Sequence, residues 1–272
     1  MKYLAQSLLS LIMLISSTTL FAFPKANPVP GGVALVPLGS VQQPKPQAYF
    51  QNKAVTILPY YDHWLAVVGL PLELAPSTAV LQVQTAGQWA NYPVTVKAKK
   101  YRTQRLRIRD KNKVTPNAAS SQRIVREIAL TDRLKQTFSD FVPNLNFIRP
   151  VSGRDTGRFG MRRIMNGVPR QPHSGMDIAA VTGTPIKTPH RGRVIYTGSL
   201  FYTGNTVILD HGQGVLSLYA HLNTIHTQVG KWLEQGEILG TVGKTGRATG
   251  PHLHWSIYLN QTSVDPSLFL NR

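Results

Sequence analysis

Pro172-His173-Ser174-Gly175-Met176-Asp177 and Pro251-His252-Leu253-His254-Trp255 are the two stretches on which the reading of this chain turns. Together they hold three of its eight histidines and one of its twelve acidic residues. Neutral imidazole and carboxylate are natural ligands of a borderline divalent metal. His173 and Asp177 are four apart with Ser-Gly between them, a flexible spacing that lets a loop residue and the next strand address one centre. His252 and His254 are two apart in a strand-like run, so both rings leave the same face about 6–7 Å apart. One of them can share an ion with His173 and Asp177, and the other lies beside the open coordination position. Trp255 and Ile257 alternate with them and face the opposite way.

Around these segments the chain reads as short β runs separated by glycine turns. Pro185-Ile186-Lys187, Arg193 to Tyr196, Thr206 to Leu209, Gly214 to Tyr219, Ile238-Leu239 and His254 to Leu259 are the candidate strands. Gly204-Asn205, Asp210-His211-Gly212 and Gly243-Lys244-Thr245-Gly246 mark turns. Tyr219-Ala220-His221-Leu222 ends one such strand in a histidine, and a water-activating site needs a base near its metal. A two-His, one-carboxylate set suits zinc in a hydrolase, with water in the fourth place. It equally suits the facial triad of a non-haem iron oxygenase. The additional histidines favour hydrolysis, since an oxygenase needs no bases beside its metal. Gly243-Lys244-Thr245 imitates a phosphate-binding loop, but Ile238 stands where that loop requires glycine. His190, His211 and His226 follow turns or loops and read as surface residues.

Upstream, prolines and the Gly31-Gly32 pair lead into Val33 to Pro37, followed by apolar runs at Ala54 to Leu58, Trp64 to Leu70, Ala79 to Val83 and Tyr92 to Val96. Their length and β-branched content predict strands. His63 beside Asp62 reads as an exposed turn pair. In Arg105-Leu106-Arg107-Ile108-Arg109 strict alternation predicts a strand with three arginines on one face. That face is either solvated or drawn to a polyanion. Thr115-Pro116 then reads as an N-cap and first helical residue. Ile124, Val125, Ile128, Leu134 and Phe138 predict an amphipathic helix of about 16–22 residues packed on its own chain. Residues 144–160 read as a linker or arm. The expected organisation is a signal peptide at 1–22, a small β domain of binding or regulatory character at 23–115, helix and linker at 116–149, and a second β domain at 150–272. The fold class is mainly β: two β domains joined by a helix.

The 272 residues carry 30 Lys+Arg against 12 Asp+Glu, a net charge of +18. That balance calls for an anionic partner such as an acidic polymer or an anionic envelope surface. Nucleic acid is not expected, because a secreted protein rarely meets it and only Tyr101 interleaves the basic run as a stacking aromatic. The absence of cysteine excludes disulfides, thiolate metal sites and cysteine nucleophiles. Lys2 followed by the uncharged run Leu8 to Leu20 reads as a secretory signal, with Ala22 near the cleavage point.

His173-Ser174-Gly175-Met176-Asp177, Tyr219-Ala220-His221-Leu222 and Gly246-Arg247-Ala248-Thr249-Gly250-Pro251-His252-Leu253-His254-Trp255 resemble the lysostaphin-type (LytM-domain) zinc endopeptidases of cell-wall peptidoglycan. Gly183-Thr184-Pro185-Ile186, Gly204-Asn205, Asp210-His211-Gly212 and Val264-Asp265-Pro266 fit in the same order, so the likeness spans about residues 150–270. The Pro30-Gly31-Gly32 opening and the helix after residue 115 look like Gram-negative members with an extra β domain. The resemblance implies a duplicated hybrid-motif β sheet and one zinc ion on His173, Asp177 and His254. It implies His221 and His252 as the pair that activates the zinc-bound water and stabilises the oxyanion, and peptidoglycan stem peptides as substrate. It also implies hydrolysis without a covalent intermediate, in the periplasm of a Gram-negative bacterium. Members that only activate amidases lack zinc ligands, which this chain keeps. Related enzymes are often held latent by a segment lying in the groove, a role open here to Asn144-Leu145-Asn146 or to the amino-terminal β domain.

Overall fold

The computed structural model describes residues 23–270. The signal-peptide reading of residues 1–22 falls outside the described residues. In the amino-terminal part, β1 (Val33–Ser40), β2 (Gln47–Phe50), β3 (Lys53–Ala54), β4 (Thr56–Tyr60), β5 (His63–Gly69), β6 (Ser77–Thr85) and β7 (Gln88–Val96) make two antiparallel sheets. Their orders are β1-β5-β4 and β3-β2-β6-β7. Side-chain alternation explains the apolar runs. Ala34, Ile57, Ala66 and Val68 join Phe50, Leu81, Val83 and Val94 in a core between the two sheets. Val33, Leu58 and Val67 leave the opposite face and enter the core of the carboxy-terminal sheet. Sheet β1-β5-β4 is thus covered on both sides, which is why Trp64 to Leu70 reads as continuous rather than alternating hydrophobicity.

Next come β8 (Thr103–Leu106) and α1 (Ala118–Lys135), the single α-helix among the described residues. There follow β9 (Arg154–Gly157), β10 (Arg162–Met165), β11 (Val168–Arg170), β12 (Met176–Ala179), β13 (Pro185–Lys187) and β14 (Gly192–Leu200). The chain continues through β15 (Gly204–Asp210), β16 (Leu216–Ile225), β17 (Trp232–Leu233), β18 (Ile238–Val242), β19 (His252–Leu259) and β20 (Thr262–Val264). A ten-stranded sheet runs β17-β14-β15-β16-β19-β12-β9, with β18 and β13 joined to β16 and β20 joined to β19. A small sheet, β11-β10-β8, pairs β8 in parallel with β10, so a strand from the basic region is bound to the carboxy-terminal half. The predicted mainly β architecture with one connecting helix is the observed one.

Several local expectations are corrected. Asn117, not Thr115, caps the helix, its side chain accepting from the Ser120 N–H. The helix docks through a half-buried stripe that includes Ile124, Glu127 and Leu134, and none of its residues is fully buried. Arg123 donates to the Ser199 carbonyl and Glu127 accepts from the Phe201 N–H at 2.6 Å, so polar bonds fix it to the sheet while Val125 and Ile128 face solvent. The segment read as a linker is partly core: Leu145, Phe147 and Val151 are buried beside Trp255 and Phe269. His211 is not a surface residue. It is buried, with Nδ1 donating to the Arg191 carbonyl at 2.8 Å and Nε2 2.7 Å from Ser217 Oγ.

The two β units share one apolar core and a set of polar clasps. Asn260 Oδ1 accepts from the Gly69 N–H at 2.7 Å while its Nδ2 donates to the Gly69 carbonyl at 2.9 Å. Gln213 accepts from Thr56 Oγ1 and from the Ile57 N–H.

Candidate metal centre

The centre grows from the register of three neighbouring strands. In β12–β19, Asp177 stands opposite His254 and Ala179 opposite His252. In β16–β19, Ala220 stands opposite His254. Directly opposed residues point to one face about 5 Å apart, so pairing alone brings the carboxylate and His254 together. The alternate residues Ile178, Leu253, Trp255 and Ile257 fill the core on the other face. Alternation from Ala220 would send His221 into that core as well. Instead His221 has φ +65°, a left-handed conformation uncommon outside glycine. The kink swings its ring to the metal face, with ring centroids 4.7 Å from His252 and 6.0 Å from His254. Left-handed residues other than glycine are held only when their surroundings enforce them. Here the His221 N–H donates to the Thr203 carbonyl at 2.7 Å.

His173, Asp177 and His254 are buried, and each offers one ligand atom to a common centre. Asp177 Oδ1 lies 2.9 Å from His173 Nε2 and 2.8 Å from His254 Nδ1, and the two ring nitrogens are 2.9 Å apart. The remaining nitrogens are tied off behind them. His173 Nδ1 donates to the Arg158 carbonyl at 3.0 Å, and His254 Nε2 is 2.9 Å from Ser256 Oγ. Outer hydrogen bonds of this kind fix the tautomer and ring plane of a metal ligand. Burial would raise the Asp177 carboxyl, but the hydrogen-bonded imidazoles of His173 and His254 outweigh it and hold the group well below the usual carboxylate range. Burial pushes His254 down to about 4 against the pull of Asp177, which leaves the ring neutral near pH 7. Two imidazoles and one ionised carboxylate converging on one centre fit zinc.

His221 and His252 stand next to this trio and share a tautomer. His221 Nδ1 donates to the Thr245 carbonyl at 2.7 Å and His252 Nδ1 to the Gly250 carbonyl at 2.8 Å. Each is left with Nε2 as an acceptor, that of His252 being 3.8 Å from Asp177 Oδ1. Burial, with His252 and His254 alongside, pushes His221 down to about 3. Both rings line a cavity of about 220 Å³ in front of Asp177.

Other contributors carry no signature in the sequence. Arg163 donates to Asp177 Oδ2 at 2.6 Å, from a strand fourteen residues upstream. Gly157 faces Asp177 across β9–β12, and a Cβ there would stand 2.3 Å from Oδ2. Ser256 continues the His252–His254 alternation and was the one partner that spacing could reveal. Leu106 and Ile108 form a wall of the cavity, while Arg105, Arg107 and Arg109 face solvent, the division that their alternation predicts. Asn144-Leu145-Asn146 does not line the cavity, and Leu145 is in the core.

Fold and donor set together define a metallohydrolase-type centre built on one face of a β sheet. The chain belongs to peptidase family M23. The family model matches residues 171–266, and the model of the family's amino-terminal domain matches residues 26–99. A crystal structure of a Pseudomonas aeruginosa chain assigned to peptidase M23 superposes with a TM-score of 0.76 at 38% identity, covering 89% of this chain and 95% of that one. The DD-carboxypeptidase/endopeptidase Mpg of Neisseria meningitidis is 42% identical over 94 residues, 35% of this chain and 22% of that protein. The peptidoglycan DD-endopeptidase ShyA of Vibrio cholerae is 36% identical over 113 residues, 41% of this chain and 26% of that protein. The matched region thus spans about a quarter of these curated relatives.

Proposed function

We propose that this chain is a zinc-dependent endopeptidase that hydrolyses peptide cross-links of peptidoglycan. The observation that carries the reading is the convergence of His173, Asp177 and His254, with the free Nε2 atoms of His221 and His252 opening on the same cavity. Relatives named for DD-endopeptidase activity support the substrate class.

His173 Nε2, His254 Nδ1 and Asp177 Oδ1 would hold the ion. When bound there, zinc supplies Lewis-acid polarisation of the scissile carbonyl and makes water ionisable near neutral pH. Arg163 fixes the plane of Asp177 by occupying its second oxygen. Nε2 of one of the pair His221 and His252 takes the proton released as water adds to the amide. The same nitrogen, now carrying N–H, then donates to the departing amine. His221 is held for this by the Thr245 carbonyl, and the wall of half-buried Leu106 and buried Ile108 limits bulk water in the cavity. As the trailing edge of the amino-terminal half, that wall also gives this half a means of regulating access.

Export to a Gram-negative periplasm is part of the proposal. It is supported by the composition of residues 1–22 and by the organisms of the relatives, and the net charge of +18 suits the carboxylates of stem peptides and an anionic envelope. Incubation with purified cross-linked muropeptide dimers tests the activity: monomers should accumulate, vanish with chelator and return with zinc. Dimers left intact by zinc-loaded protein would refute it.

A further inference from the structure

We propose that Arg247 is the carboxylate-binding residue of this cavity and selects peptides that carry a free carboxylate beside the scissile amide. The inference rests on the endopeptidase reading and names what its substrate must carry.

The charge of the cavity leads to it. Among the described residues Asp177 is the only acidic side chain in the lining, and Arg163 already neutralises its outer oxygen. Arg247, also in the lining, has no such partner: no hydrogen bond or ion pair joins its guanidinium to a described residue. With Arg163 and Asp177 cancelling, Arg247 and a bound divalent ion leave the chamber strongly positive. A scissile amide is neutral and relieves none of this. Burial lowers the Arg247 pKa, Tyr202 works the other way, and Arg163 and Arg170 add to the lowering. Arginine does not deprotonate in proteins, so its charge stands here at a cost that an incoming anion would remove.

The side chain is also shaped for a carboxylate. Its backbone N–H donates to the Tyr202 carbonyl at 2.7 Å, and its guanidinium lies over the Tyr202 ring, 4.2 Å from the centroid. The ring holds the guanidinium in place while its N–H groups have no partner among the described residues, and such an N–H edge pairs bidentately with carboxylate. The residue sits two positions after Thr245, whose carbonyl orients His221, and five before His252. One loop therefore brings the anion site and the proton-transfer pair into the same cavity, where a carboxylate on Arg247 belongs to the peptide being cut.

The test uses a cross-linked muropeptide dimer and the same dimer with its carboxylates converted to carboxamides. Cleavage by the full chain should favour the free acid by roughly ten- to hundredfold in kcat/KM. In Arg247→Gln that ratio should fall towards one, and Arg247→Lys, with charge but no fork, should give an intermediate ratio. Zinc content and melting temperature confirm that both variants remain folded. Equal turnover of the two dimers by the wild type, or an undiminished ratio in Arg247→Gln, would overturn the assignment. Calorimetric binding reads the same selectivity without turnover. Tighter binding of the acid with no cleavage of either dimer would uphold the carboxylate site and sink the endopeptidase reading, whereas equal binding would overturn the site itself.

Discussion

Arg163 donates from Nη2 to Asp177 Oδ2 at 2.6 Å, so the carboxylate that offers Oδ1 to His173 and His254 is gripped from behind. The arginine lies outside the ligand trio yet holds the orientation of one member. Arg163→Ala should weaken zinc binding by roughly ten- to hundredfold, the usual effect of losing such an outer partner. Competition with a chelating dye measures this, and unchanged affinity would show that the pair is incidental.

Gly157→Ala addresses the same carboxylate by steric means. The added methyl would stand 2.3 Å from Oδ2, which Arg163 prevents from swinging away. Zinc affinity should drop while the far sheets stay intact, as seen by competitive titration alongside circular dichroism.

His221 and His252 should separate from the ligands in their kinetics. Replacing either by Ala is expected to lower kcat by about 10²–10⁴-fold while one zinc per chain is retained. His173→Ala should lose the metal itself. Metal analysis beside turnover rates on a muropeptide dimer distinguishes the classes, and loss of zinc from His252→Ala would move that residue into the ligand set.

The ligand residues were legible because their neighbours in sequence are their neighbours in chemistry. His173 with Asp177, and His252 with His254, each sit within one turn or strand, and alternation gives their facing. Spacing alone did not say which of His252 and His254 takes the metal. Strand register supplies the reason, since β12 sets Asp177 against His254 and Ala179 against His252. Arg163, Gly157 and the wall from Leu106 and Ile108 were not legible, because they reach the site only through pairing of β9 and β8 with distant strands. The helix misled for a different reason. Its apolar residues keep helical spacing, but Arg123 and Glu127 bond to the sheet and turn Val125 and Ile128 outward. His211 follows a turn, and only the packed structure shows that Phe147 and the Arg191 carbonyl enclose it.

His211 makes folding sensitive to acid. Burial holds it at about 4 in the native state against an ordinary value of 6.5. The unfolded chain therefore binds more protons between these values, so stability is complete above about pH 6.5 and is lost as pH falls towards 4. The loss from this residue is roughly 3 kcal/mol at 1.36 kcal/mol per unit. Denaturation midpoints of wild type and His211→Gln across pH 4–7 should converge at the acid end; parallel curves would contradict the assignment.

Asn260 clasps both polar groups of Gly69 across the junction of the two β units. Asn260→Ala leaves a buried donor and acceptor without partners and should cost about 2–3 kcal/mol, read as a lowered urea midpoint. An unchanged midpoint would mean that the apolar core alone holds the units together.

The central claim is that His173, Asp177 and His254 hold a zinc ion that cuts peptidoglycan peptides. Chromatography and mass spectrometry of muropeptides from purified sacculi, digested with zinc-loaded wild type or with Asp177→Ala, test it most directly. The account predicts new uncross-linked peptides with the wild type and none with the variant. Equal release by both proteins, or intact cross-links after the wild type, would contradict it.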